Sequence, residues 1–293
     1  MSRSRATAIG FGAVLLWALL ALFTVGTEPM PPLLLNATSF ALGGAVGVIW
    51  LALTGQWAQL RHVPLRVYLF GTAGLCGYHL LYFSALRLAP PAEASLIAYL
   101  WPLFIVLFSG LLPGERLTGM HVLGALVAFA GAALIVIKQP AQVQLQQIWG
   151  LALAFLASLT WSGYSVISRR LGQVPTASVA VFCIGTAIIS ALAHLAFETP
   201  RWPDTEWGWL SVLALGLGPV GLAFYIWDIG VKRGDIQLLG VSAYAAPLLS
   251  TLVLIGLGLA PATWRIGLAA LLITLGAALA ARGSQRKAPV RLD

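Results

Sequence analysis

The chain has 293 residues, of which 59% are hydrophobic and 9% are charged, and its apolar runs of about 20 residues are each long enough to cross a membrane as a helix. This composition argues against a large soluble helical protein, and the runs lack the polar–apolar alternation that a membrane β-barrel requires. The net charge of +8 lies in short loops and a terminal tail rather than on one basic face, so we expect no nucleic-acid partner.

The apolar runs predict ten membrane-spanning helices, and the breaks between them are marked by proline and glycine turns. The spans are placed at residues 6–25, 32–53, 66–87, 93–112, 118–137, 147–168, 177–197, 207–231, 236–258 and 264–281. The first run follows Arg3 and Arg5. We interpret it as a retained span, because it is longer than the apolar region of a signal peptide and lacks a convincing cleavage site.

The distribution of Lys and Arg orients these spans, because the loops on the cytoplasmic side of membrane proteins are enriched in both residues. With both termini in the cytoplasm, 13 of the 17 basic residues face the cytoplasm and four face the opposite side. We therefore expect a multi-pass protein of the bacterial inner membrane, embedded in the lipid bilayer, with its N-terminus and C-terminus inside.

One apolar pattern occurs twice, 145 residues apart. The sequence YLWP at 99–102 returns as YAAP at 244–247, and GAAL at 131–134 returns at 276–279. Each half holds five spans, an odd number, so the second copy must enter the membrane in the opposite orientation. A site near the bilayer midplane, between inverted halves, is typical of secondary transporters. The predicted organisation is a first five-helix repeat at 1–137, a periplasmic connector at 138–146, a second, inverted five-helix repeat at 147–281 and a basic cytoplasmic tail at 282–293.

Polar and aromatic side chains in the middle of spans are the candidates for a binding site, because a polar group in hydrocarbon is costly unless it faces a cavity or a partner. Tyr78, His79 and Tyr82 share one broad face of a predicted helix. The further residues expected to line an aromatic cavity with them are Trp17, Tyr99, Trp101, Trp161 and Tyr244. We expect His79 and the tyrosine hydroxyls to bond a ligand's polar groups. The alternative, interfacial anchoring, suits the tryptophans at span ends better than these deeper ones.

Two prolines, Pro102 and Pro247, occupy matching positions in the two copies. Proline within a helix removes a backbone donor and bends the helix. Kinks in packed helices are one interpretation of this pair. The matched positions favour the other, in which the kinked helices line the cavity or move during gating.

Asp228 is the one carboxylate placed in the interior of a predicted span rather than at its end, and Lys232 follows it at the favourable i,i+4 spacing. We expect an ion pair in which Lys232 reaches toward the cytoplasmic surface. The alternative is a site for a proton or a substrate amine near the inner gate. Cys76 and Cys183 lie inside spans without a His or Cys at ligand spacing, so no disulfide, metal or cofactor is expected.

These features resemble a known family. Ten spans, a duplicated five-helix unit, and a fourth span in which Tyr99-x-x-Pro102 is followed by Glu115-Arg116-Leu117 resemble the drug/metabolite transporter superfamily, EamA type. The second half departs from this pattern, because Leu259-Ala260-Pro261 stands where the glutamate turn usually repeats. The aromatic third and fourth spans are similar to the aromatic amino acid exporters of that superfamily. The resemblance implies a functional monomer, since both orientations are present in one chain.

The sequence and the resemblance together predict a secondary transporter that exports aromatic and other small amino acids or related metabolites by alternating access, without enzymatic activity. The chain has no phosphate-binding GxxxxGK[ST] motif, so ATP-driven transport is not expected. Both facilitated diffusion and proton coupling through His79 are consistent with the sequence. The alternatives are an exporter of drugs or cationic compounds from the same superfamily and, from another class, a membrane-embedded enzyme that modifies lipids.

Overall fold

The long apolar runs fold into helices, as the sequence predicts. The computed structural model describes residues 1–136, 147–258 and 262–285, and these residues form α-helices, one π-helical turn and no strand. The predicted connector at 138–146 lies outside the described residues, and so do residues 286–293 of the predicted tail.

The first half contains eight helices. They are α1 (Arg3–Trp17), α2 (Leu20–Gly26), α3 (Pro32–Thr54), α4 (Ala58–Arg61), α5 (Leu65–Leu88), α6 (Pro91–Ala98), α7 (Trp101–Ser109) and α8 (Gly119–Val136). The second half contains seven helices and a π-helical turn. They are α9 (Ile148–Arg170), α10 (Ser178–Phe197), α11 (Glu206–Leu217), the π-turn (Gly218–Leu222), α12 (Ala223–Arg233), α13 (Ile236–Ser242), α14 (Ala245–Gly256) and α15 (Trp264–Gln285).

Local sequence signals set several helix ends. The Thr205 hydroxyl accepts the Gly208 amide at 3.0 Å and begins α11, and the Asp235 carboxylate does the same for the Leu238 amide at 3.0 Å in α13. Helix α3 ends at Gly55, whose φ of 66° is favourable only for glycine. Helix α15 continues through Gln285, four residues beyond the predicted end of the last span at 281.

Eight helical segments of the described chain are long and apolar enough to cross a membrane, judged by length and composition. Two more predicted spans, 93–112 and 118–137, correspond to shorter apolar segments at Ala94–Ser109 and Gly119–Leu134. The structure therefore confirms an all-helical protein with many membrane-crossing segments.

The main contacts pair helices from the two halves. Helix α1 packs on α12, α3 on α10, α5 on α9 and α8 on α15. In a membrane, an apolar side chain is as well solvated by lipid as by a neighbouring helix, so burial does little to hold helices together. Helix pairs are instead stabilised by close packing of their backbones, which small residues allow. A Cβ atom on Gly124 of α8 would lie 2.5 Å from the carbonyl oxygen of Gly276 in α15, and a Cβ on Gly276 would lie 2.5 Å from that of Gly124. Gly276 is the first residue of the second GAAL segment, and Gly124 lies seven residues before Gly131, the first residue of the other GAAL segment.

Several of the long segments are interrupted near their middle. Helix α7 begins after a break at Tyr99 and Leu100, and α14 begins after a break at Ala243 and Tyr244. Pro102 lies in the first turn of α7 and Pro247 in the first turn of α14. Because proline has no N–H, it cannot donate a hydrogen bond to a carbonyl of the preceding turn. The interruptions lie where the two repeat-related prolines predict kinks, although a role in gating stays a prediction.

Candidate binding cavity

A cavity of about 140 Å³ lies where the interrupted helices meet. This volume is close to the roughly 150 Å³ of an engineered apolar protein cavity that accepts benzene. The residues that line it come from both halves and are mostly aromatic. They are Trp17, Leu20, Tyr78, His79, Tyr82, Ser95, Ala98, Tyr99, Trp101, Trp161, Pro219, Val220, Phe224 and Ala246.

A cluster of indole rings forms one wall of the cavity. The ring centre of Trp17 lies 6.0 Å from that of Trp101 and 5.9 Å from that of Trp161, both in edge-on contact. The Trp17 Nε1–H donates to the Pro219 carbonyl in the π-turn at 3.1 Å, which fixes the ring across the two halves. Edge-to-face aromatic packing of this kind is rigid and specific. The wall is therefore a preformed aromatic surface.

His79 sits among aromatic rings with one nitrogen already engaged. Its Nδ1 lies 2.7 Å from the Leu75 carbonyl one turn earlier on α5, and since a carbonyl only accepts, Nδ1 carries a proton. The rings of Phe40, Tyr78 and Phe224 surround the imidazole at centroid distances of 4.9, 5.1 and 6.1 Å. In the neutral imidazole this bond makes Nε2 an acceptor, so the tautomer determines which ligand groups His79 can bond.

Hydroxyl groups supply further polar contacts in the cavity lining. The hydroxyls of Tyr82 and Ser95 lie 3.1 Å apart and link α5 to α6. The rings of Tyr78 and Tyr82 stack with centroids 5.9 Å apart and planes only 6° from parallel. Tyr99 lies at the helix interruption itself. The cavity thus combines flat aromatic walls with a small number of hydroxyl donors and acceptors.

Seven of the eight residues predicted to line a cavity do line it. The exception is Tyr244, which is not among the residues that line the cavity. Its side chain is fully buried against Phe129, with ring centroids 5.9 Å apart, in a separate apolar cluster formed by α7, α8, α13, α14 and α15. The two copies are not equivalent here, because α14 directs Ala246 rather than Tyr244 into the cavity.

Phe224 is a cavity residue that the sequence reasoning missed. Its ring stacks on Phe40 at 5.4 Å and contacts Trp161 at 5.7 Å. A usable signal was present, because Phe224 lies 145 residues after His79, the same offset that relates Tyr99 to Tyr244. Applying the repeat offset to every candidate would have found it.

Asp228 and Lys232 form the predicted ion pair, with Oδ1 and Nζ 2.8 Å apart. The Thr176 hydroxyl donates to the other carboxylate oxygen at 2.7 Å, and Nζ donates to the Val174 carbonyl at 3.0 Å. Both side chains are almost completely buried, so Lys232 does not reach toward the surface as expected. The pair is not part of the cavity lining.

A second group of charges joins segments of both halves on the face where α1 begins. Arg3 contacts Glu115 at 3.3 Å and Asp235 at 3.2 Å, and Arg169 also pairs with Glu115. Arg169 further donates to the carbonyls of Val231 and Gly234, each at 2.8 Å. We refer to Arg3, Glu115, Arg169 and Asp235 as the charge network. The sequence alone does not predict this network, since its members are distant in the chain.

The described residues offer little to a metal ion. Among them, no group of three or more His, Cys, Asp or Glu side chains comes together, and Cys76 and Cys183 are separately buried. The side chains that line the cavity can stack on a ligand and hydrogen-bond to it.

Comparisons with known proteins agree with this geometry. A model of the EamA-like transporter family matches residues 5–137 and again residues 148–282. The aromatic amino acid exporter YddG of Ancylobacter novellus is 51% identical over 96% of this chain and 98% of its own length. The exporter of the same name from Salmonella typhimurium is 24% identical over 98% of this chain and 100% of its own. A solved crystal structure with 50% identity superposes with a TM-score of 0.93, covering 98% of this chain and 100% of the other.

Proposed function

Because this chain belongs to the EamA-like transporter family, we propose that it exports aromatic and other small amino acids across the bacterial inner membrane. The cavity is the observation that carries this proposal. Its volume of about 140 Å³ suits one aromatic ring, and indole and phenol side chains are six of its 14 lining residues. The exporter name of the relative that is 51% identical supports the same substrate class.

The polar groups of the cavity suit the ends of a zwitterion. The Tyr78 hydroxyl and one hydroxyl of the bonded pair Tyr82 and Ser95 are donors for a carboxylate, and Nε2 of neutral His79 is an acceptor for an ammonium group. In an otherwise apolar pocket, a small number of polar groups orients the ligand and sets the specificity of binding. We therefore propose that the ring of the substrate packs on the tryptophan wall while its charged ends meet these groups.

The direct test is flux in proteoliposomes. Vesicles that contain the purified protein should accumulate labelled phenylalanine or tryptophan without chemical conversion, and vesicles without the protein should not. Conversion of substrate or lipid would instead indicate the membrane-embedded enzyme.

A second candidate function, export of aromatic cations, is favoured by the indole faces, since cations bind over Trp rings. A lipophilic cation run in parallel distinguishes it, because that function predicts flux of the cation and none of phenylalanine.

We further propose a functional monomer of ten membrane-spanning helices, in two inverted repeats. One support is that the family model matches two stretches of similar length. The other is that equivalent helices make equivalent contacts across the halves. Helix α1 of the first half packs on α12 of the second, and α9, the repeat equivalent of α1, packs on α5, the repeat equivalent of α12. One chain then supplies both orientations that a symmetric pair of half-sized subunits would supply.

Topology is the first prediction. A reporter fused after Asp293 is expected in the cytoplasm and one inserted near Gln142 in the periplasm, because 13 of 17 basic residues then lie inside. Activity of paired alkaline phosphatase and fluorescent protein fusions measures this. Two reporters on the same side of the membrane would contradict the inverted arrangement.

We propose that alternating access requires the charge network to separate. Its contacts hold the start of α1, the loop after α7, the end of α9 and the loop between α12 and α13 on one face. Glu115→Gln should therefore favour opening toward that face. Since one charge-assisted hydrogen bond contributes roughly 1.5 kcal/mol, we expect about a tenfold change in the balance of states.

A thiol reporter measures this prediction. Ser95→Cys places a cysteine in the cavity lining, and its labelling by an impermeant maleimide from the α1 face should speed up in the Glu115→Gln background. The matched control is Glu206→Gln. Glu206 is exposed at the start of the helical segment Glu206–Arg233, and the charge network lies at the other end of that segment. Equal labelling rates in both backgrounds would mean that the network does not gate the cavity.

A further inference from the structure

The interruption between α6 and α7 leaves a backbone carbonyl in an unusual position. The Tyr99 amide donates to the Ser95 carbonyl at 2.8 Å and the Leu100 amide to the Ile97 carbonyl at 3.1 Å, so the hydrogen-bond pattern tightens at the end of α6. The next carbonyl along the chain belongs to Ala98, the last residue of α6 and a residue of the cavity lining.

Pro102 determines what this carbonyl can bond. In a continuous helix the amide of residue 102 would donate to the carbonyl of residue 98, but proline has no N–H. Hydrogen bonding resumes two residues later, where the Phe104 amide donates to the Leu100 carbonyl at 3.0 Å. The Ala98 carbonyl also lies at the C-terminal end of α6, where the helix dipole places partial negative charge. Both effects make it an acceptor suited to a cation.

We propose that the Ala98 carbonyl accepts a hydrogen bond from the α-ammonium group of the substrate. This inference rests on the proposed export of amino acids and adds a second acceptor for the amine beside Nε2 of His79. A buried carbonyl that lacks its helical donor is costly unless another donor reaches it, and an ammonium group carries three N–H donors. The cavity therefore selects amino acids over molecules with the same ring and carboxylate but no amine.

The second repeat supplies a matched control. Pro247 likewise has no N–H for the Ala243 carbonyl, and α14 restarts after a break, but here the Ala246 amide donates to the Ala243 carbonyl at 3.0 Å. Ala243, however, is fully buried and is not part of the cavity lining. A change at Pro247 thus alters the same kind of helix interruption without altering an acceptor in the cavity.

The first test compares Pro102→Ala with Pro247→Ala. Alanine at 102 restores an N–H that satisfies the Ala98 carbonyl, so the affinity for phenylalanine should fall about tenfold or more. Affinity for 3-phenylpropionate, which lacks the amine, should stay within about twofold of the wild type, because an unchanged contact contributes no difference. Titration calorimetry on the purified protein measures both. Equal losses for the two ligands, or the same selective loss in Pro247→Ala, would overturn the inference.

The second test needs only the wild-type protein and so does not depend on how the variants fold. Phenylalanine and its N,N,N-trimethyl derivative carry the same positive charge, but the derivative has no N–H. A carbonyl acceptor predicts that the derivative binds about tenfold or more weakly. Equal or tighter binding of the derivative would assign the ammonium to the faces of the tryptophan rings and overturn the inference.

Failure of the proposed function gives a different result. If the wild-type protein does not move phenylalanine in proteoliposomes, amino-acid export itself is wrong. If it does move phenylalanine but discriminates neither against the amine-free acid nor against the trimethyl derivative, only the role of Ala98 is wrong.

Discussion

Replacing His79 with alanine is expected to lower the affinity for an aromatic amino acid about tenfold to more than a hundredfold. A hydrogen bond to a charged ligand group contributes roughly 1.5–3 kcal/mol, and every 1.4 kcal/mol is a factor of ten. The imidazole lines the cavity, and its bond to the Leu75 carbonyl directs the other nitrogen to a ligand as an acceptor. Flux of labelled phenylalanine at low substrate concentration measures the effect.

The control for this prediction is Tyr244→Phe. Tyr244 is a mid-span aromatic residue at a helix break, like the cavity tyrosines, but it lies in a separate apolar cluster. Removing the Tyr244 hydroxyl in this variant should leave the flux of labelled phenylalanine at the wild-type level. A His79→Ala protein that elutes as folded, monodisperse protein and retains normal flux at low substrate would show that His79 is a packing residue. Lower thermal stability with unchanged flux per folded molecule would lead to the same conclusion.

The helices were largely predictable because the residues within each segment determine that the segment is helical. An apolar run of about 20 residues has one stable form in hydrocarbon, a helix whose backbone groups bond one another. The interruptions at 99–100 and 243–244 also follow from a local cause, the proline that comes shortly after each. Periodicity and punctuation therefore located the helices to within a few residues.

The aromatic cavity was predictable for a different reason. Mid-span polar and aromatic residues are expensive to place against lipid, so Trp17, His79 and Trp101 were expected to face an interior. The repeat then indicated that residues from both halves would converge. Phe224 escaped because its side chain is ordinary in a membrane helix, and only its offset from His79 distinguishes it.

The errors arise where tertiary contacts break the equivalence of the two halves. The repeat relates Tyr244 to Tyr99, but the contact of Tyr244 with Phe129 of α8 holds it outside the cavity. The charge network has the same origin, since Arg3 and Asp235 lie 232 positions apart. A single sequence carries no record of which distant loops meet, so these contacts required the structure.

The buried pair of Asp228 and Lys232 supports the prediction with the largest expected effect on stability. Lys232→Met keeps the length of the side chain but removes its charge, and leaves a carboxylate whose side chain is 1% exposed without its counter-ion. Breaking a buried ion pair by removing one partner typically costs about 3–5 kcal/mol. We therefore expect a large loss of unfolding free energy, measured by thermal or denaturant unfolding in detergent. The double variant Asp228→Asn, Lys232→Met should recover most of the loss, because no unpaired charge remains.

The neighbouring residue separates this effect from a general response to lost positive charge. Arg233 is exposed and lies next to Lys232 at the end of α12, so Arg233→Met should change the unfolding free energy by less than about 1 kcal/mol. If Lys232→Met is as stable as Arg233→Met, the pair contributes little and the carboxylate tolerates isolation. That outcome would favour the alternative that Asp228 takes up a proton during transport. A large loss in Lys232→Met that the double variant recovers would instead identify the pair as a structural link between α12 and the segment at Val174–Thr176, since both partners bond that segment directly.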